Sequence, residues 1–218
     1  MRSAGLLSAC LIATALSAAG CGGGGGGTEQ SAGASGCRKV STPPPKKVHL
    51  RPPSAQVVHP GKKLTAVVET SCGTFSISLD TKRAPKTTNS FVYLVRKGFY
   101  DGLSFQRIVP RYIIQGGDPR ENDTGGPGYT IDEPPPPNLS YTKGVVAMAK
   151  TQVEPPGRSG SQFFIVTVPA IPLSPDYALL GRVGSGKDVV ARIAHLGTGT
   201  GEPSQPVRID RITVRKGR

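Results

Sequence analysis

Phe105 to Asp118 read FQRIVPRYIIQGGD. Arg107 stands among Phe105, Ile108, Val109, Pro110, Tyr112 and Ile113, and Gln115 and a Gly116-Gly117 pair follow. Alternation puts Phe105, Arg107 and Val109 on one face of a strand, and Tyr112 and Ile114 on one face of the next. An unpaired guanidinium is costly to bury. Arg107 therefore serves either a structural ion pair or a ligand. A second stretch, Ser159 to Val166 (SGSQFFIV), favours the ligand.

Working outward from these stretches, the chain reads as mainly β. Strands are expected at Leu64–Glu69, Thr74–Leu79, Ser104–Val109, Tyr112–Gln115, Gly144–Ala149, Gln162–Thr167, Leu179–Val183 and Ile209–Arg215. Pro85 opens a helix whose apolar stripe is Phe91, Leu94 and Val95, and Gly98 stops it. A second helix is expected at Lys187–His195. Short strands with two isolated helices suggest a closed barrel. No internal repeat or heptad is present.

The N-terminal part has another character. Residues 1–20 have the form of a secretion signal: Arg2, a short apolar run from Leu6 to Ala19, then small residues before Cys21. The run is too short for an ordinary spanning helix. Residues 21–61 are rich in Gly, Pro, Ser and Lys, including Gly22 to Gly27 and Pro43-Pro44-Pro45, and read as a linker without its own core. The folded domain then covers 62–218.

The formal charge is +13. The basic residues are scattered, with no stripe interleaved with stacking aromatics, so nucleic acid is not an expected partner. No His or Cys pair has metal-ligand spacing, so neither metal nor cofactor is expected. Ser161 lacks a Gly-x-Ser-x-Gly elbow and a suitably spaced His or Asp, which argues against a hydrolase. Of the four cysteines, Cys10 leaves with the signal and Cys21 directly follows it. Cys37 and Cys72 remain, as a disulfide that an exported chain would favour or as two separate thiols.

FQRIVPRYIIQGGD and SGSQFF together resemble the signature of the cyclophilin-type peptidyl-prolyl isomerases, and the resemblance runs from about Leu64 to the C-terminus. It implies a closed eight-stranded antiparallel barrel capped by two α-helices, and catalysis of rotation about Xaa-Pro bonds. Rotation makes and cleaves no covalent bond. It calls for an apolar slot, a donor that polarises the prolyl amide, and groups that fix the flanking backbone. The resemblance makes Arg107 that donor, with Tyr112 and Gln115 as its catalytic companions. Phe105, Ile113, Ala149, Lys150, Gln162, Phe164, Leu173 and Tyr177 become the substrate-binding residues. Read singly, Tyr112, Ile113 and Phe164 would be core, and only the joint spacing lifts them. Gln106, Tyr112, Ile113 and Tyr177 depart from the family's usual residues, and its tryptophan is absent near Ile171 and Pro172.

The small-residue-then-Cys ending is similar to the bacterial lipoprotein motif, which makes Cys21 a diacylated N-terminus. The expectation is a monomeric isomerase of proline-containing polypeptides, exported and held on the outer face of a bacterial cell membrane by lipid.

Overall fold

The computed structural model describes residues 36–217. The leader expected at residues 1–20 and the lipidation expected at Cys21 fall outside the described residues.

Ten strands and two helices follow one another: β1 (Leu64–Thr70), β2 (Gly73–Leu79), α1 (Pro85–Arg96), β3 (Arg107–Val109), β4 (Ile113–Gly116), β5 (Ile131–Asp132), β6 (Val145–Met148), β7 (Arg158–Ser159), β8 (Phe163–Val166), β9 (Leu179–Val183), α2 (Lys187–Ala194) and β10 (Ile209–Lys216). The eight strands expected from alternation form one antiparallel sheet in the order β10-β1-β2-β9-β6-β8-β4-β3. β5 and β7, unforeseen in the sequence, make a separate two-stranded sheet. At two residues each, among prolines and glycines, they are too short to show alternation.

The expected closed barrel is an open half-barrel. Its edge strands, β10 and β3, share no ladder. The segments leading into them touch through a single bridge, Ser104 to Arg208, flanked by Phe105 N–H to Val207 O (2.9 Å) and Ile209 N–H to Leu103 O (2.7 Å). β3 is only three residues long because the chain leaves the extended pairing before Arg107. Ile108 N–H of β3 donates instead to Gly201 O at 2.7 Å.

Register decides what each face carries, because paired residues point the same way. Ile108, Ile114, Ile165 and Val146 pair in series across β3, β4, β8 and β6, and all four are buried in the interior cluster. Phe75, Phe91, Tyr100, Phe105 and Phe163 join them, with Phe105 set edge-on to Phe163 at 6.0 Å. Tyr100 is fully buried, yet its hydroxyl donates to Ser161 O at 3.1 Å. Burial pushes its pKa well above the ordinary tyrosine value.

Two helix starts are made by unlike devices. At α2, Gly186 sits at φ 70, and a Cβ there would lie 2.5 Å from Thr74 O, so only glycine fits. At α1, Pro85 occupies the first turn and Ala84 supplies no side-chain cap. The Glu133 carboxylate does so from a distance, accepting Lys86 N–H at 3.0 Å and Thr87 N–H at 2.7 Å. It satisfies two orphan donors and places negative charge at the helix's positive end. Glu133→Ala is expected to cost about 1 kcal/mol in urea unfolding, with Glu133→Gln losing less.

Residues 36–61, read from composition as a linker, lie across the domain as a strap. Cys37 is bonded to Cys72 in the β1–β2 turn, and Arg38 N–H donates to Ser71 O at 2.7 Å. At the other end Asn89 on α1 accepts the backbone N–H groups of Val57 (2.6 Å) and Val58 (2.9 Å). Val58 is buried, and Val48, Leu50 and Val57 pack on the interior cluster. The strap has few apolar residues of its own, and most of them pack on the core of the sheet.

Candidate active site

The outer face of the half-barrel carries the site. Arg107, Gln115, Phe164 and Ala147 pair in series across β3, β4, β8 and β6, one row away from the interior isoleucines. Ile113 pairs with Val109 and Val166 in the next row of the same face. A groove of about 1150 Å³ opens over these rows. Ten of the eleven residues expected to contact substrate line it: Arg107, Tyr112, Ile113, Gln115, Ala149, Lys150, Gln162, Phe164, Leu173 and Tyr177.

Phe105 is the exception and a correction. It is fully buried between Phe75 and Phe163 and does not reach the groove. Strict alternation had put it beside Arg107, but β3 begins only at Arg107, and Phe105 bonds instead toward Val207. Tyr112 also departs from strict alternation. It packs with Ile113 on the outer cluster, whereas Ile114 faces the interior. Arg111, at φ 55, turns the chain between β3 and β4 and breaks the alternation before β4 begins.

The apolar floor is a compact cluster. Ile113, Phe164, Ala147 and Val166 are buried, and Tyr112, Ala149, Leu173 and Tyr177 are packed on them. Phe164 and Tyr177 meet edge to face at 5.5 Å. Tyr141 holds Tyr177 from behind: its hydroxyl donates to Tyr177 O at 2.7 Å and accepts Tyr177 N–H at 2.9 Å. Burial pushes the Tyr141 pKa up to about 12, so the hydroxyl keeps its proton at physiological pH. The Lys150 ammonium lies 5.3 Å from the Tyr177 ring centre and donates to Thr151 O and Glu154 O.

Beside the floor runs a directed chain of amides. Arg107 donates to Gln115 Oε1 at 3.4 Å, Gln115 Nε2 to Gln162 Oε1 at 2.9 Å, and Gln162 Nε2 to Gly125 O at 2.9 Å. Each glutamine has its amide orientation set by the next. Among the described residues Arg107 makes no ion pair, and its one side-chain bond is to Gln115. A guanidinium carries five donors, so most of this fork remains available to a ligand in the groove. Gly117, at φ 89, completes the support: a Cβ there would stand 2.7 Å from Ser161 O.

Among the groove residues that sequence reading missed, two sets stand out. Asp123 accepts from Gln106 Nε2 (2.9 Å) and Gln115 Nε2 (3.3 Å), tying the loop after Gly117 to the amide chain. Lys46, Lys47, Val48 and His49 come from the strap. Both sets sit in polar, aperiodic segments that carry no signal of spacing. Among the described residues no group of three or more His, Cys, Asp or Glu is placed to hold a metal ion.

A half-barrel whose outer face sets one arginine, without an ion pair among the described residues, beside an apolar floor defines a candidate ligand groove. Comparison with known proteins specifies it. The sequence profile of "Cyclophilin type peptidyl-prolyl cis-trans isomerase/CLD" matches residues 65–214. A peptidyl-prolyl cis-trans isomerase-like 1 of Gibberella zeae is 37% identical over 153 residues, covering 68% of this chain and 93% of that protein. Its Mus musculus namesake is 36% identical, covering 68% and 88%. The solved cyclophilin-type isomerase of Cryptosporidium parvum superposes with a TM-score of 0.65 at 26% identity, over 72% of this chain and 99% of that one. The same protein solved in the presence of the dipeptide Ala-Pro gives 0.64, over 70% and 99%. The chain belongs to the cyclophilin-type peptidyl-prolyl cis-trans isomerase family and is a peptidyl-prolyl cis-trans isomerase.

Proposed function

We propose that this isomerase acts on proline-containing segments of exported and cell-envelope polypeptides, with Arg107 as the group that polarises the prolyl amide. The observation that carries the mechanism is the Arg107 fork, held by Gln115 at the edge of the Ile113–Phe164 floor. Uncatalysed rotation must break amide resonance at about 18–20 kcal/mol. A donor that bonds the substrate better when the prolyl nitrogen is pyramidal lowers that barrier without any covalent step. In this reading the proline ring rests on Ile113, Phe164, Leu173 and Tyr112, while Gln115, Gln162 and Ala149 fix the flanking backbone. The assay is isomerisation of a short Xaa-Pro peptide by the full chain. Bound peptide without faster isomerisation would leave a receptor rather than this mechanism.

The cellular setting rests on the N-terminal sequence and on the cysteines. The Cys37–Cys72 bond supports an oxidising compartment, because reducing cytosol keeps such thiols apart. The proposed anchor is a diacylated Cys21. Labelled palmitate is expected to enter the wild-type chain when it is expressed in a bacterium that processes lipoproteins. Cys21→Ala is expected to lose that label. Label retained in Cys21→Ala and lost in Cys10→Ala would move the anchor to the other cysteine.

A further inference from the structure

The isomerase domain ends one wall of its groove with residues that do not belong to it. Lys46, Lys47, Val48 and His49 of the strap line the same groove as Arg107, although the family profile begins only at residue 65. They are fixed there. Lys46 N–H donates to Pro119 O at 2.6 Å and Leu50 N–H to Pro127 O at 2.7 Å, so this part of the strap lies along the loop that forms the groove's rim. The Cys37–Cys72 bond and the Asn89 side chain pin the strap on either side of these contacts. The wall is thus covalently and hydrogen-bond tethered.

Its chemistry is one-sided. The groove is lined by five cationic side chains, Lys46, Lys47, Arg107, Arg120 and Lys150, against two carboxylates, Asp123 and Glu154. Both carboxylates are engaged locally: Asp123 takes the Gln106 and Gln115 amides, and Glu154 takes the backbone N–H and hydroxyl of Thr151. Lys46 and Lys150 donate to backbone carbonyls. Exposed Lys47 and Arg120, by contrast, make no ion pair among the described residues.

We propose that the strap and the rim residue Arg120 form an accessory subsite that selects substrates with acidic residues near the isomerised proline. The subsite rests on the isomerase reading of the groove and adds the substrate class. Charged groups facing a bound peptide across a partly open groove favour one sign of partner and disfavour the other.

The test measures kcat/KM of the full chain on peptides with a common Ala-Pro centre, placing Glu or Lys at successive positions on either side, with an all-alanine peptide alongside. At low ionic strength the best Glu peptide is expected to exceed its Lys counterpart by about fivefold, with the ratio shrinking as salt rises. In the double variant Lys47→Glu and Arg120→Glu, at exposed positions, the ratio is expected to fall to one or invert. Equal rates for Glu and Lys peptides in the wild type, or an unchanged ratio in the double variant, would overturn the subsite. The all-alanine peptide separates the two ideas: if it too is not isomerised by the wild type, the mechanism fails and not merely the subsite.

Discussion

Arg107→Ala is expected to lower kcat/KM for a short Xaa-Pro peptide by about 10²–10³, the loss typical of removing one donor aimed at a transition state. Arg107 shares a cross-strand row with Gln115 and Phe164, so its guanidinium stands beside the apolar floor and not within it. It makes no ion pair among the described residues, so removing it leaves no buried carboxylate unpaired. The fold should therefore survive, and unfolding midpoints should stay close. On the proposed mechanism the bond strengthens as the prolyl nitrogen pyramidalises, so kcat should carry most of the loss and KM little. Arg107→Lys should recover only part of the rate, since a point charge cannot reproduce a planar fork. A loss carried wholly by KM would make Arg107 a binding group, and an unchanged rate would remove it from the mechanism.

Opening the Cys37–Cys72 bond is expected to lower stability by about 3–4 kcal/mol, from the loop entropy of a 35-residue separation. For a chain of this size the melting temperature should fall by roughly 10 °C. The bond ties the strap to the β1–β2 turn, and both cysteines are buried. Scanning calorimetry with and without reductant, and with Cys37→Ser and Cys72→Ser together, checks it. Reductant should have no further effect on the double variant. The strap also lines the groove, so the reduced protein should lose selectivity among charged peptides before it loses the isomerisation of neutral ones. A melting temperature indifferent to reductant would show that the strap is held by its hydrogen bonds and packing alone.

Much of the site was legible in FQRIVPRYIIQGGD and SGSQFF. Arg107, Gln115, Ile113, Phe164 and Gln162 all reach the groove. What alternation could not supply was the phase at each end of a strand. Phe105 turns inward because the chain departs from the ladder before Arg107, and Tyr112 faces outward because Arg111 adopts a left-handed turn. Asp123 and Glu133 were invisible for another reason. Asp123 sits in a loop without periodicity, and Glu133 caps a helix start 46 residues away in sequence.

The strap is the clearest division between the two sources. Its composition announces a segment unable to build a core, and that much is true of residues 36–61 taken alone. Docking depends on partners supplied by the folded domain: Cys72, Asn89 and the carbonyls of Pro119 and Pro127. Local sequence determined the strands, the helices and the arginine set among apolar residues, because period and charge are written in neighbouring positions. Tertiary structure alone decided that the sheet stays open, that Phe105 is core, and that a polar, proline-rich segment becomes a wall of the groove. Those outcomes depend on register and hydrogen bonds between segments many residues apart, which no local pattern records.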